Sequence, residues 1–110
     1  MQKMSLKKLN ELLLGRQRAL LFVKSESCEL CHQFESIIGF LEDKYINNIE
    51  FFVASGEQEG VVEVLEKEIN GVPSIILFKP TGYLVVPDPD EPDPDTWYTR
   101  EYIEKFLKEW

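Results

Sequence analysis

The chain has 110 residues, 44% of them hydrophobic and 29% charged, which is enough for one domain with its own core and ordinary for a globular protein in water. No apolar run approaches the ~18 residues of a membrane span. The formal net charge is −8 and uneven: up to Lys24 six basic residues stand against one acidic, and after it six stand against nineteen. A body this acidic argues against nucleic acid as the main partner, because phosphate binding needs a basic surface.

The basic N-terminal stretch reads as one solvated helix face. Its apolar residues are interrupted by Asn10 and Glu11, so it lacks the uniform apolar core and small-residue cleavage site of a signal peptide. The expected compartment is the cytoplasm, and no membrane association is expected.

The first helix is predicted from about Ser5 to Leu14, with Leu6, Leu9 and Leu13 on one face and Gly15 as its stop. Ala19-Leu20-Leu21-Phe22-Val23-Lys24 is a continuous apolar run closed by a charge, the pattern of a strand buried on both faces. Ser27 is a candidate N-cap for a helix carrying Leu30, Phe34, Ile37, Ile38, Leu41 and Tyr45 at spacings of three and four. Asn47-Asn48 reads as a turn and Ile49 to Ala54 as a second strand. A helix from about Gln58 to Glu68 follows, with Val61, Leu65 and Ile69 on one face, ended by Asn70-Gly71.

Val72-Pro73 precedes a third strand, Ser74 to Lys79. Pro80-Thr81-Gly82 is a tight hairpin connection, and Tyr83 to Val86 returns as a fourth strand. Prolines alternate with acids from Pro87 to Asp95, so this segment can form neither helix nor ladder. It reads as a stiff, solvated acidic loop. The last helix is predicted from about Thr99 to Trp110, with Ile103, Phe106, Leu107 and Trp110 facing inward. The order αβαβαββα implies a single-domain α/β/α sandwich around a mixed four-stranded sheet, parallel through the strand–helix–strand segments and antiparallel at the hairpin.

The only two cysteines stand in Cys28-Glu29-Leu30-Cys31, just after the first strand and at the start of a helical pattern. A bridge between residues this close constrains the unfolded chain little, so redox or metal chemistry is the better reading. Cys31 lies three residues before Phe34 and seven before Ile38, on the face that should be buried. Cys28 falls in the first turn, where unpaired N–H groups and the helix dipole favour a thiolate.

These features resemble the thioredoxin-like superfamily. The match rests on Leu20-Leu21-Phe22-Val23, Cys28-Glu29-Leu30-Cys31 at the following helix start, and Gly71-Val72-Pro73-Ser74 before Ile75-Ile76-Leu77-Phe78. The hairpin at Pro80-Thr81-Gly82 and the C-terminal helix also fit. The resemblance spans almost the whole chain from Leu6. It implies a thiol–disulfide oxidoreductase in which Cys28 attacks a target disulfide and Cys31 resolves the mixed disulfide. It implies that Pro73 is cis and lies beside the dithiol, leaving the Val72 backbone to pair with an extended substrate segment.

The partners implied are disulfide-containing protein substrates and an electron-donating reductase or thiol pool. No cofactor beyond the Cys28–Cys31 disulfide is called for, and the protein is expected to be a monomer. The alternative is a non-enzymatic interaction module on the same scaffold, binding across the Val72-Pro73 edge.

The sequence departs from the family pattern at several points. Ser27 stands where Trp is common, Glu29 and Leu30 replace Gly-Pro or Gly-His, and Phe22 replaces a buried carboxylate. The kinking proline of the dithiol helix is absent, with Gly39 available for close packing. Val86-Pro87 stands where a glycine is usual. Glu26 and Glu29 place negative charge near Cys28, while Lys24 or His32 is positioned to take over part of the missing carboxylate's proton handling. The acidic loop reads first as a soluble connection; the functional alternative is that it edges the substrate groove and favours basic targets.

Three other uses of these residues are weaker. Cys28-Glu29-Leu30-Cys31-His32 formally matches a c-type haem attachment site, but the only methionines are Met1 and Met4 and there is no second histidine. A zinc site from Cys28, Cys31 and His32 lacks a fourth ligand. The acidic loop lacks the central glycine of a calcium loop.

Overall fold

The structure is a computed structural model; it describes the chain except residues 16, 56–58, 66–68, 70 and 110 and the side chains of 59 and 62. The elements are β1 (Gln2–Lys3), α1 (Leu6–Leu13), β2 (Ala19–Lys24), α2 (Glu29–Tyr45), β3 (Glu50–Ser55), α3 (Glu59–Leu65), β4 (Ser74–Lys79), β5 (Gly82–Val85) and α4 (Arg100–Glu109). The expected α/β/α sandwich is present, with one correction. The sheet has five strands, in the order β1-β3-β2-β4-β5. The additional strand pairs parallel with β3 at Gln2↔Phe52 and Lys3↔Val53. Two exposed residues are too short to display a period of two, so the sequence carried no sign of it.

β2 is the axis of the sheet. It pairs parallel with β3 from Ala19↔Glu50 to Lys24↔Ser55 and antiparallel with β4 from Ala19↔Phe78 to Val23↔Ser74. Its alternation divides the core in two. Leu20 and Phe22 join Phe51, Ile75 and Leu77 beneath α2 and α4. Ala19, Leu21 and Val23 join Phe52, Ile76 and Phe78 beneath α1 and α3. Each of the large side chains buried completely here contributes about 1.5–3 kcal/mol of transfer free energy, which is why the run carries no polar residue before Lys24.

The helices meet the two faces as their patterns require, with local corrections. In α1 the buried residues are Leu9 and Leu12, assisted by Met4, whereas Leu6 and Leu13 are exposed. Ser5 caps this helix, its hydroxyl accepting the Lys8 N–H at 3.1 Å. The residues expected to begin and end the third helix, Gln58, Glu68 and Asn70, and the inward-facing Trp110, lie outside the described residues; within α3, Val61 and Leu65 are buried. The 87–95 loop, expected to make no ladder contact, forms one isolated bridge between Asp93 and Trp97. A Cβ on Gly39 would meet nothing within 4 Å, so the expected close packing at that residue is absent. No helix among the described residues is long and apolar enough to cross a membrane.

Gly15 ends α1 at φ +73, and a Cβ there would lie 2.7 Å from the Pro80 carbonyl oxygen. Both the left-handed backbone and the approach of the β4–β5 turn therefore require glycine. At the opposite face, Glu104 of α4 is buried and ties the helix to the end of α2. It accepts hydrogen bonds from Lys44 Nζ at 2.7 Å and Tyr45 Oη at 2.9 Å. The Lys44 bond is the main influence holding its carboxyl below the ordinary value, against the opposing effect of burial.

Gly15→Ala is expected to lower stability by about 1–3 kcal/mol through backbone strain and the Pro80 clash; an unchanged urea midpoint would refute this. A carboxylate whose folded pKa is depressed contributes stability above its unfolded value, and that contribution is lost as pH falls through the folded value. Glu104→Gln should therefore cost about 1–2 kcal/mol at neutral pH, with the gap to the parent narrowing below about pH 4. Urea unfolding at pH 7 and pH 3 checks both the size and the sign.

Candidate active site

The loop leaving the C-terminal end of β2 turns directly into α2. The Cys28 N–H bonds the Ser25 carbonyl at 3.2 Å, and Cys28 itself, extended at φ −89 and ψ 104, is the helix N-cap. Its Sγ accepts the Cys31 N–H at 3.0 Å. Ser27, expected in that capping role, instead lies with its hydroxyl 3.1 Å from Ser25 Oγ. One residue further along, the cysteine sulfur reaches the unpaired amides of the first turn that a serine oxygen at Ser27 would otherwise have had to reach.

Cys28 and Cys31 form a disulfide, with Cα atoms 5.2 Å apart. The two sulfurs differ in environment. Cys31 is fully buried, while Cys28 is half-buried at the edge of the same core. Beneath them Phe22 and Phe34 meet edge to face, with ring centroids 5.6 Å apart. Phe34 in turn meets Tyr98 at 5.5 Å. No carboxylate stands at Phe22 on the central strand, and the position is filled by an aromatic pair.

Among the residues expected to tune the thiols, Lys24 at the end of β2 donates to Glu35 Oε1 at 2.7 Å. Glu35 lies one helical turn past Cys31, and this ion pair bridges β2 and α2. His32 is exposed, and its Nε2 sits 3.0 Å from the Glu26 carbonyl oxygen, linking the first turn of α2 back to the preceding loop. Glu26 and Glu29 are both exposed. Among the described residues no group of three or more His, Cys, Asp or Glu is placed to hold a metal ion.

The second half of the site comes from the entry to β4. The Val72–Pro73 peptide is cis. The β2–β4 register ends at Val23↔Ser74, so Pro73 stands alongside the end of β2 from which the chain runs to Cys28. Pro73 is buried and Val72 exposed. The Ser74 hydroxyl donates to the Gly71 carbonyl and closes this turn.

A cavity of about 390 Å³ opens beside Pro73, walled on its far side by Val86, Asp88, Trp97 and Tyr98. The acidic loop thus reaches the same edge as the cis proline. Trp97, Tyr98 and Glu35 are residues that sequence reasoning did not bring to the site, whereas Asp88 lies in the acidic loop for which a place at the groove edge was the alternative reading. Glu35 carried a signal, since it follows Cys31 by four residues and is opposite in charge to Lys24. Trp97 and Tyr98 carried none, because their placement depends on how the proline-rich loop folds back.

No protein-family model and no curated protein sequence matches the chain. Solved structures do. Mitochondrial thioredoxin 3 of Saccharomyces cerevisiae, in oxidised form, is similar with a TM-score of 0.76 and 15% identity over all of this chain and 95% of its own. Thioredoxin of Trypanosoma brucei brucei gives a TM-score of 0.71 and 12% identity over 98% and 90% of the two chains. Thioredoxin f of spinach chloroplast, in its short form, gives 0.62 and 16% over 76% and 75%. At these identities the likeness establishes the fold: the chain has a thioredoxin-like fold with a disulfide at Cys-x-x-Cys spacing.

Proposed function

We propose that the protein is a thiol–disulfide oxidoreductase that reduces protein disulfides through Cys28 and Cys31. The observation that carries this reading is the asymmetry of the pair: Cys28 at the helix N-cap with its sulfur on the Cys31 amide, and Cys31 fully buried behind it. A half-exposed sulfur held on an N–H donor is suited to be a thiolate nucleophile. A buried sulfur in the next turn is reached only by a bond partner already on Cys28.

In the reducing direction the Cys28 thiolate attacks one sulfur of the substrate disulfide, and the other substrate sulfur leaves as a thiolate and takes a proton. The Cys31 thiol loses its proton and attacks Cys28 Sγ. The substrate's first sulfur then leaves as the second thiol, and the enzyme holds its own disulfide. Two electrons and two protons pass to the substrate, and a separate reductase or thiol pool must return them. No bound cofactor enters these steps, and a monomer in the cytoplasm suffices. The cis Val72–Pro73 edge presents the substrate's extended chain to Cys28, and Lys24 with Glu35 handles the proton of Cys31, in place of the carboxylate that Phe22 excludes.

The second reading, an interaction module without turnover, draws on that same apolar floor of Phe22 and Phe34, which offers no proton acceptor. A single assay separates the two. Dithiothreitol-driven reduction of insulin is expected to fall by more than about a hundredfold in Cys28→Ser. Cys31→Ser should accumulate a mixed disulfide on Cys28, visible as an adduct mass. Full activity in Cys28→Ser, or no activity in the parent, overturns the enzyme reading.

Lys24→Met leaves the Glu35 carboxylate beside Cys31 without its ammonium partner, and negative charge opposes thiolate formation. The pH midpoint of alkylation of the reduced pair is expected to move upward. An unmoved midpoint removes Lys24 from the proton-handling role.

A further inference from the structure

The loop from Pro87 to Trp97 is a fixed wall. The Trp97 indole Nε1 donates to Asp88 Oδ1 at 3.0 Å, and the Tyr102 hydroxyl donates to the Pro87 carbonyl at 2.8 Å. Asp93 Oδ1 accepts the Asp95 and Thr96 amides at 2.8 and 3.1 Å. The Asp93 and Trp97 backbones exchange hydrogen bonds at 3.0 and 2.9 Å. Trp97 is held at φ +67, a conformation that costs a bulky residue of order 1 kcal/mol and persists only where its surroundings impose it.

What this wall presents is negative and aromatic. Between Lys79 and Arg100 there is no basic residue, while Asp88, Asp90, Glu91, Asp93 and Asp95 all fall in that interval. Arg100 does not compensate, because its guanidinium sits over the Phe40 ring at 4.7 Å and bonds Glu101 and Glu104. Across the groove, Lys24 is paired with Glu35, and Glu26 and Glu29 are exposed. Burial first, and then the Asp88 charge, pushes the Tyr98 hydroxyl above its ordinary value; burial, then Asp90 and Asp88, does the same for Tyr102. Asp88 also lines the cavity together with Trp97 and Tyr98.

We propose that the cavity between Pro73 and this wall binds a Lys or Arg side chain of an extended protein substrate, held by Asp88 and the Trp97 face, so that the enzyme selects disulfides flanked by positive charge. The inference rests on the oxidoreductase reading and names its substrate class. A volume of about 390 Å³ falls at the small end of ligand sites, roughly 300–1,000 Å³, and so suits a side chain better than a folded surface. A carboxylate at the edge of an indole, with the ring beside it, is chemistry that recognises an ammonium or guanidinium. The exposed Val72 lies just beyond the last β2–β4 pair and borders the cavity, giving an extended backbone a place to run past it.

The test compares two synthetic peptide disulfides that differ only in Arg or Glu flanking the cysteine, reduced by the parent, Asp88→Asn and Asp90→Asn at low salt. The parent should prefer the Arg peptide by at least roughly tenfold in kcat/KM, equivalent to about 1.4 kcal/mol. The preference should shrink in both variants and at high salt. Equal rates for the two peptides, or a preference that survives both substitutions, overturns the proposal. So does cystamine, a diamine disulfide without a peptide backbone, if it is reduced as efficiently as the Arg peptide.

Binding is measured separately, on the Cys28→Ser/Cys31→Ser protein with the same peptides carrying Ser for Cys, by calorimetry. Selective binding of the Arg peptide sustains the cation site even if the parent shows no turnover, in which case only the enzyme reading fails. Indifferent binding removes the site whatever the activity.

Discussion

The central strand β2 is enclosed on both faces and both edges, and the position of the dithiol depends on that enclosure. β3 and β4 pair with it along its length, and five of its six residues are buried. It can carry no charge until Lys24, where the sheet ends. The chain must turn there, and the first amides of α2 are left without carbonyl partners. Cys28 arrives at that spot and caps them with sulfur. The helix dipole, the free amides and the Cys28 sulfur are thus brought together by the burial of a strand that contains none of them.

The same burial governs the floor of the site. With Phe22 against Phe34, the space under the cysteines is filled by rings, and Cys31 has no polar group on the central strand to receive its proton. Lys24 and Glu35 form an ion pair at the end of β2, with both side chains partly exposed. An ion pair there keeps contact with water and so avoids the desolvation cost of a fully buried pair. With Phe22 at that position, the interior beneath the cysteines is given over to ring packing.

Much of this could be read from the residues before any coordinates. The β2 run and the spacing of Cys31 to Phe34 and Ile38 indicated the central strand and the buried cysteine, because each is a local pattern set by periodicity, whereas the Val72-Pro73 edge of the site followed from the family resemblance. The buried stripe of α1 was misread, since Leu6, Leu9, Leu12 and Leu13 offer two overlapping faces and tertiary packing chooses Leu9 and Leu12. The edge strand Gln2–Lys3 is defined only by its partner. Nothing local marks Glu104 as buried, because its partners Lys44 and Tyr45 are some sixty residues away in sequence. Trp97 was invisible for the same reason: nothing local says that a proline-rich loop returns to the cis-proline edge.

That return is anchored to the core of the redox face. Ring contacts run from Phe22 to Phe34 and on to Tyr98, Tyr102 and Phe106. The aromatic residues that support the dithiol therefore also support the wall of the neighbouring cavity. A loop held in this way can change its outward charges without disturbing the sulfurs, because its hydrogen bonds to Trp97 and Tyr102 and its Asx turn at Asp93 fix the backbone independently of the remaining side chains. Asp88 is the exception, being both part of the anchor and part of the surface. The carboxylate that holds the indole in place also lines the cavity, so a change there alters the shape and the charge of the cavity together.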